Sequence, residues 1–212
     1  MHVEVPNAIV DLQESGPILV RVCTIDFAPY HAAPHRAPLF VDLLRTRHCA
    51  RTTRVAPLAE LLAAHRDAAR TRLIAAAALD ATVALDLEAL DAAAFVVPRA
   101  WIYHATRSGS TLLSNLLAGA SPTHRVFAEN AALMDALALA CPMCSATRRA
   151  EAFRGVVQLC GARGAGASDD DAPPVSLYFK MHPGAILEHT SVVARAFPAT
   201  PWLFVAREVT RS

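Results

Sequence analysis

The stretch from Arg99 to Gly119 constrains the fold of this chain more than any other. A short apolar run, Trp101-Ile-Tyr103, meets a loop of small residues that carries one cation, Arg107. Leu112, Leu113, Leu116 and Leu117 then recur at helical spacing on one face. Strand, tight loop and helix in that order aim several backbone N–H groups and a helix N-terminus at one spot, and such a spot binds phosphate. The loop departs from the nucleotide-hydrolase pattern of Gly, four residues, then Gly-Lys-Ser/Thr. Aligned on Gly109, the first glycine falls on His104 and the lysine on Ser110, so no lysine reaches a β- or γ-phosphate.

From residue 99 onward strands and helices alternate. Strands are expected over 99–104, 125–129, 176–181 and 201–206, with helices over 110–119, 131–140, 147–161 and 185–197. That alternation implies a parallel sheet with right-handed crossovers and a three-layer α/β fold carrying a P-loop-type phosphate-binding loop. Ligands of such sheets bind at the carboxyl ends of the strands, where Arg107, Glu129, His182 and Arg207 would emerge. The chain divides accordingly into an N-terminal region, 1–95, and a nucleotide-binding part, 96–212. The first region reads as mixed α+β. Ile18 to Phe27 suits a strand, two prolines make 31–38 a loop with solvated His31 and His35, and helices are expected over 57–78 and 84–94. The stripe of the longer helix is Leu58, Leu61, Leu62, His65, Ala69 and Leu73. Gly161 to Pro174, small and acidic, reads as a surface loop outside any site.

A net charge of +1 over 212 residues argues against a nucleic-acid tract or a polybasic membrane patch. The basic residues are 19 Arg and a single Lys, Lys180, beside 44 Ala, a bias that points to codon composition. Five cysteines without framework spacing suit a reduced compartment, and Cys141-Pro-Met-Cys144 reads as a pair of buried small apolar residues rather than a metal or redox pair. No metal site is expected. The N-terminus lacks the basic segment and apolar core of a secretory signal, and Asp80, Asp86, Glu88 and Asp91 interrupt the most apolar region. The expectation is a chain without a membrane span, located in the cytoplasm.

Thr106-Arg107-Ser108-Gly109-Ser110-Thr111 resembles the 5′-phosphosulfate-binding loop of sulfotransferases, in the Arg-Ser-Gly-Ser-Thr form of the carbohydrate-type branch and its bacterial and algal relatives. Two further passages extend the resemblance over about half of the chain, roughly 99–212. Arg195-Ala-Phe-Pro…Pro201-Trp-Leu-Phe-Val-Ala-Arg207 is similar to the family's helix ending in Ala-Phe-Pro followed by a buried strand ending in arginine, and Lys180-Met-His182-Pro is similar to the Lys-Thr-His-Leu-Pro segment of cytosolic members. The resemblance implies 3′-phosphoadenosine 5′-phosphosulfate as co-substrate and a small-molecule acceptor hydroxyl, with carbohydrate as the class the branch suggests. Ser108, Gly109, Ser110 and Thr111 would hold the 5′-phosphate, Arg107 would face the bridging oxygen, and Arg207 would bind the 3′-phosphate. Two residues compete for the role of base. Glu129, in Phe127-Ala-Glu-Asn130, matches a Phe-x-Glu-Pro segment apart from its last residue, and His182 matches the cytosolic histidine. Lys180 and His182, two apart on a strand, would share a face.

Beyond Arg207 the pattern departs from the family. Glu208-Val-Thr-Arg-Ser212 lacks the expected proline, and the serine that contacts the 3′-phosphate eight residues on is missing. The chain therefore reads as the N-terminal part of a sulfotransferase, incomplete at its C-terminus, whose partly uncovered sheet could self-associate. A non-catalytic remnant or interaction module is the alternative, and a P-loop kinase or nucleotide hydrolase a third reading.

Overall fold

A computed structural model describes residues 2–36, 41, 53–76, 85–163, 175–183 and 188–208. It is an α/β structure with two sheets. β1 (His2–Asp11), β2 (Leu19–Asp26) and β3 (Arg54–Pro57) form an antiparallel sheet in that order. β2 lies within the expected 18–27 and buries Val20, Val22, Cys23 and Ile25. β1 is not among the expected elements, and Pro6 falls in its middle. As an edge strand it needs no ladder bond from Pro6, and the register shifts there between Pro6 and Ala8.

Between β2 and β3 run α1 (Ala28–Ala32) and a 3-10 turn (Pro34–Arg36). The expected loop over 31–38 is thus partly helical, and residues 37–38 lie outside the described part. His31 is not a solvated loop residue: its Nδ1 is 3.1 Å from the carbonyl oxygen of Ala118. His35 is exposed, as expected. α2 (Leu58–Ala76) and α3 (Leu87–Ala94) match the two expected helices. Asp86 sets the start of α3 by accepting the Ala89 N–H at 2.7 Å. His65 packs edge-on against Phe95, and burial pushes its pKa down, as befits a packing residue.

The second sheet is parallel, four-stranded and ordered β5-β6-β4-β7. Its strands are β4 (Pro98–His104), β5 (His124–Ala128), β6 (Ser176–Lys180) and β7 (Trp202–Val205), each within two residues of its expected bounds. α4 (Ser110–Ala120) joins β4 to β5. α5 (Ala131–Met134), a π-helical turn over Asp135–Leu139 and α6 (Ala146–Cys160) join β5 to β6, and α7 (Thr190–Ala196) precedes β7. The single helix expected over 131–140 is therefore one α turn continued as π. At its junction the Asp135 carboxylate accepts the Ile9 N–H at 2.9 Å, a long-range bond that local periodicity does not encode. Residues 185–187 of the last expected helix and 164–174 of the acidic loop lie outside the described part.

Aromatic rings tie the layers together. Trp101 at the centre of β4 sits 5.4 Å from Phe153, 5.2 Å from Phe179 and 5.6 Å from Phe197. Phe179 stacks on Phe127, which meets Phe27 of the N-terminal region. Such pairs add about 0.5–1.5 kcal/mol each beyond burial. Arg125, 2% exposed, donates from Nη1 to the carbonyls of Ala162 (2.7 Å) and Cys160 (3.4 Å) and so covers the C-terminus of α6. Burial lowers its pKa to about 10.

Cys141 and Cys144 are joined as a disulfide, and Cys23 is disulfide-bonded as well. The turn at Pro142-Met143 brings the two Cα atoms to 5.3 Å, within bonding range, so the reading of this pair as reduced apolar residues is corrected. The cysteines no longer argue for a reducing compartment. No described helix is long and apolar enough to cross a membrane.

Two outcomes follow from the packing around the end of α6. A Cβ at Gly161 would stand 2.5 Å from the Val96 carbonyl oxygen and 2.9 Å from Leu177 Cδ2, so Gly161→Ala is expected to cost about 1–3 kcal/mol, read from the urea unfolding midpoint. Cys160 is a fully buried free thiol whose pKa burial pushes up, so Cys160 of the native protein should react with a disulfide reagent at pH 8 only as fast as the chain unfolds, read by mapping the labelled peptide.

Candidate functional site

All four strands of the parallel sheet end on one edge, and the connections fix where a ligand can sit. From β4 the chain crosses past β6 to β5, whereas from β6 it crosses past β4 to β7. The neighbours β4 and β6 thus send their chains in opposite directions, which opens a crevice beyond their carboxyl ends. His104 ends β4, Lys180 ends β6, and Glu129 follows β5 beside Lys180, with its N–H donating to the Lys180 carbonyl at 2.8 Å.

The loop Ala105–Gly109 leaves β4 at this crevice. Ala105 N–H donates to the Val205 carbonyl at 3.0 Å, fastening the loop to β7, and Ser108 N–H donates to the Ala105 carbonyl at 3.3 Å. Gly109 has φ +93°, the left-handed conformation that glycine adopts at no steric cost, and it is the residue from which α4 starts. No side chain caps α4, so the N–H groups of its first turn, which have no partner within the helix, point at the crevice. Arg107 and the Gly109 backbone are exposed, the Ser108 hydroxyl is buried without a hydrogen-bond partner, and Ser110 is buried.

Two non-glycine residues have positive φ among those described, Arg107 at +61° and Glu129 at +59°, and both flank this crevice. Each conformation costs on the order of 1 kcal/mol, and such strain concentrates at functional sites. Asn130 helps to hold Glu129 in place. Its Oδ1 accepts the Ala132 N–H at 2.9 Å to start α5, and its Nδ2 donates to the Pro6 carbonyl at 3.3 Å. Asn130 also fills the position where the sulfotransferase segment has proline, and that exchange supplies a helix cap.

A cluster that the sequence reading did not assemble lies at the centre. Lys180, 1% exposed, gives its ammonium to Glu129 Oε1 and also donates to Thr111 Oγ1 at 3.4 Å. His104, 4% exposed, has Nδ1 within 3.1 Å of the Ala105 carbonyl, consistent with Nδ1–H as the donor, and its Nε2 lies 3.6 Å from Glu129 Oε1. That Nε2 is buried with no hydrogen-bond partner. The loop has no lysine of its own, but Lys180 reaches its Thr111 hydroxyl from the neighbouring strand. The one signal for this in the sequence is compositional: a single lysine among nineteen arginines.

His182 and Arg207 sit differently. β6 ends at Lys180, so the expectation that His182 and Lys180 share a strand face is corrected: Lys180 is buried and His182 exposed. Arg207 is exposed two residues past the end of β7, on the same sheet edge as the loop. No group of three or more metal-ligating side chains occurs among the described residues. The arrangement can receive an anion at the start of α4, with Lys180 as a buried cation beside it and a carboxylate able to accept a proton. No family model, curated protein or solved structure matches the chain.

The Lys180–Glu129 pair should show strong coupling in unfolding experiments. Lys180→Met and Glu129→Gln are each expected to cost about 1–3 kcal/mol by leaving a partner uncompensated, and the double variant less than their sum. Urea denaturation of the four proteins measures the difference.

Proposed function

We propose that this chain carries a sulfotransferase-type site, on a three-layer fold with a phosphate-binding loop, that uses 3′-phosphoadenosine 5′-phosphosulfate and a hydroxyl acceptor of carbohydrate type. The observation that carries the reading is the Arg107-Ser-Gly-Ser-Thr111 loop, set between a parallel strand and an uncapped helix, with Glu129 and Lys180 at the same crevice. Backbone N–H groups and the Ser110 and Thr111 hydroxyls suit the 5′-phosphate. Arg107 is a cation free to fold over the departing oxygen, and Arg207 lies on the edge where a 3′-phosphate would extend.

The acceptor oxygen attacks sulfur, the bond from sulfur to the bridging phosphate oxygen breaks, and that oxygen leaves with the bonding pair on the adenosine bisphosphate. The acceptor proton goes to a carboxylate or imidazole. Glu129 is favoured over His182 because it stands in the cluster with Lys180, Thr111 and His104. Fixed donors aimed at the departing phosphate supply the main rate term, as in phosphoryl transfer.

A second reading, an interaction module, draws on β7. Trp202 and Phe204 are 70% and 49% exposed on this edge strand, and they line a groove of about 660 Å³ with Trp101, Tyr103, Val193 and Phe197.

Calorimetric titration with 3′-phosphoadenosine 5′-phosphate, against ATP with Mg²⁺, separates the readings. Saturable binding of the bisphosphate, weakened about tenfold or more in Arg107→Ala, is expected. Binding of ATP alone would favour a kinase or hydrolase, and concentration-dependent self-association without nucleotide binding would favour the interaction module.

A further inference from the structure

We infer that Lys180 is a two-position cation: in the empty site it neutralises Glu129, and when a phosphate enters the loop it turns to that phosphate and frees Glu129 to act as base. The inference rests on the proposed occupation of the loop by a nucleotide phosphate and adds to it a mechanism of regulation.

The geometry supplies both positions. The Lys180 ammonium already contacts the carboxylate on one side and the Thr111 hydroxyl on the other, and Thr111 belongs to the first turn of α4, where an anion would be held. An ammonium has three donors and a flexible stem, so a short shift exchanges one anionic partner for another while the group stays buried and paired. The ammonium stays paired throughout, and the carboxylate it leaves is one-fifth exposed, so water at the crevice takes the cation's place. In the empty site the Glu129 carboxylate is engaged by the Lys180 ammonium. Once the lysine has turned away, the carboxylate faces His104 alone in this cluster.

His104 completes the device. With its Nδ1–H donated to Ala105, its Nε2 presents a lone pair toward Glu129 Oε1 across 3.6 Å, a distance that a shared proton would close. The proton taken from the acceptor hydroxyl by Glu129 therefore has a second oxygen-to-nitrogen contact waiting, and His104 is a positioning residue for it. The positive φ of Glu129 aims the carboxylate between the two partners. The nucleotide must bind before the base is available, so the acceptor is not deprotonated in its absence.

The chain has one lysine, so ¹⁵N labelling of lysine yields a single side-chain ammonium signal. The full chain is titrated with 3′-phosphoadenosine 5′-phosphate while that signal is followed, with calorimetry in parallel. The expected result is a signal that moves with the calorimetric midpoint. In Glu129→Gln the ligand-free signal should differ from wild type, the saturated signals should converge, and the bisphosphate should bind several-fold tighter because no internal carboxylate competes, on the order of 3- to 10-fold. Bisphosphate binding that leaves the lysine signal unmoved, or equal affinity in the two proteins, overturns the inference while the proposed function stands. Absence of nucleotide binding by folded protein removes both. The wild-type titration decides the matter even where Glu129→Gln fails to fold.

Discussion

An ammonium group cannot be taken out of water without an opposing charge, because its desolvation costs several kcal/mol even after relaxation. Lys180 is almost wholly buried, so the structure around it is obliged to supply a carboxylate, and Glu129 is that group. This requirement fixes the ends of β5 and β6 relative to one another and draws the first turn of α4 to them through Thr111. It also accounts for an unfavourable backbone: Glu129 holds a left-handed conformation that its own N–H bond to Lys180 and the neighbouring Asn130 cap keep in place. Pairing and strain are two sides of one constraint, and both stand at the crevice where the strand connections diverge.

The positions of most elements could be read from the chain because local signals agreed with tertiary demand. Trp101 to Tyr103, the glycine before α4, and the leucines of α2 each specify a short segment by period and turn chemistry alone. What escaped the reading depends on partners far away in sequence. Pro6 is accommodated because β1 is an edge, and the π turn at Asp135 carries a bond to the distant Ile9. Among the site residues, the loop was legible as a motif, whereas the role of His104 was hidden by its place within an apolar strand. Lys180 and Glu129 lie 51 residues apart, and only the parallel pairing of β5 with β6 brings them together. His182 misled for the opposite reason: alternation along a strand places it beside Lys180, but the strand stops first.

The two halves of the parallel sheet live in different surroundings. β6 and β4 are enclosed, with Phe179 and Trp101 at the centre of a continuous chain of rings that runs from Phe27 to Phe197. β7 pairs with β4 on one side and carries exposed aromatic residues, so it gives the sheet a soft margin within the described residues. Loop and margin are joined through the bond from Ala105 to Val205. Anything that covers β7 would therefore be felt at the loop that follows β4, through the Ala105–Val205 backbone contact.

The burial of Lys180 has a consequence outside the site. Since it is the only lysine, the folded chain shows the solvent no side-chain amine. Reagents and enzymes that acylate, glycate or conjugate lysine would find no side-chain target on the native molecule, although the same residue becomes available once the chain opens. A protein whose one such handle is locked in its core carries a built-in distinction between its folded and unfolded forms, legible to any system that marks proteins through lysine.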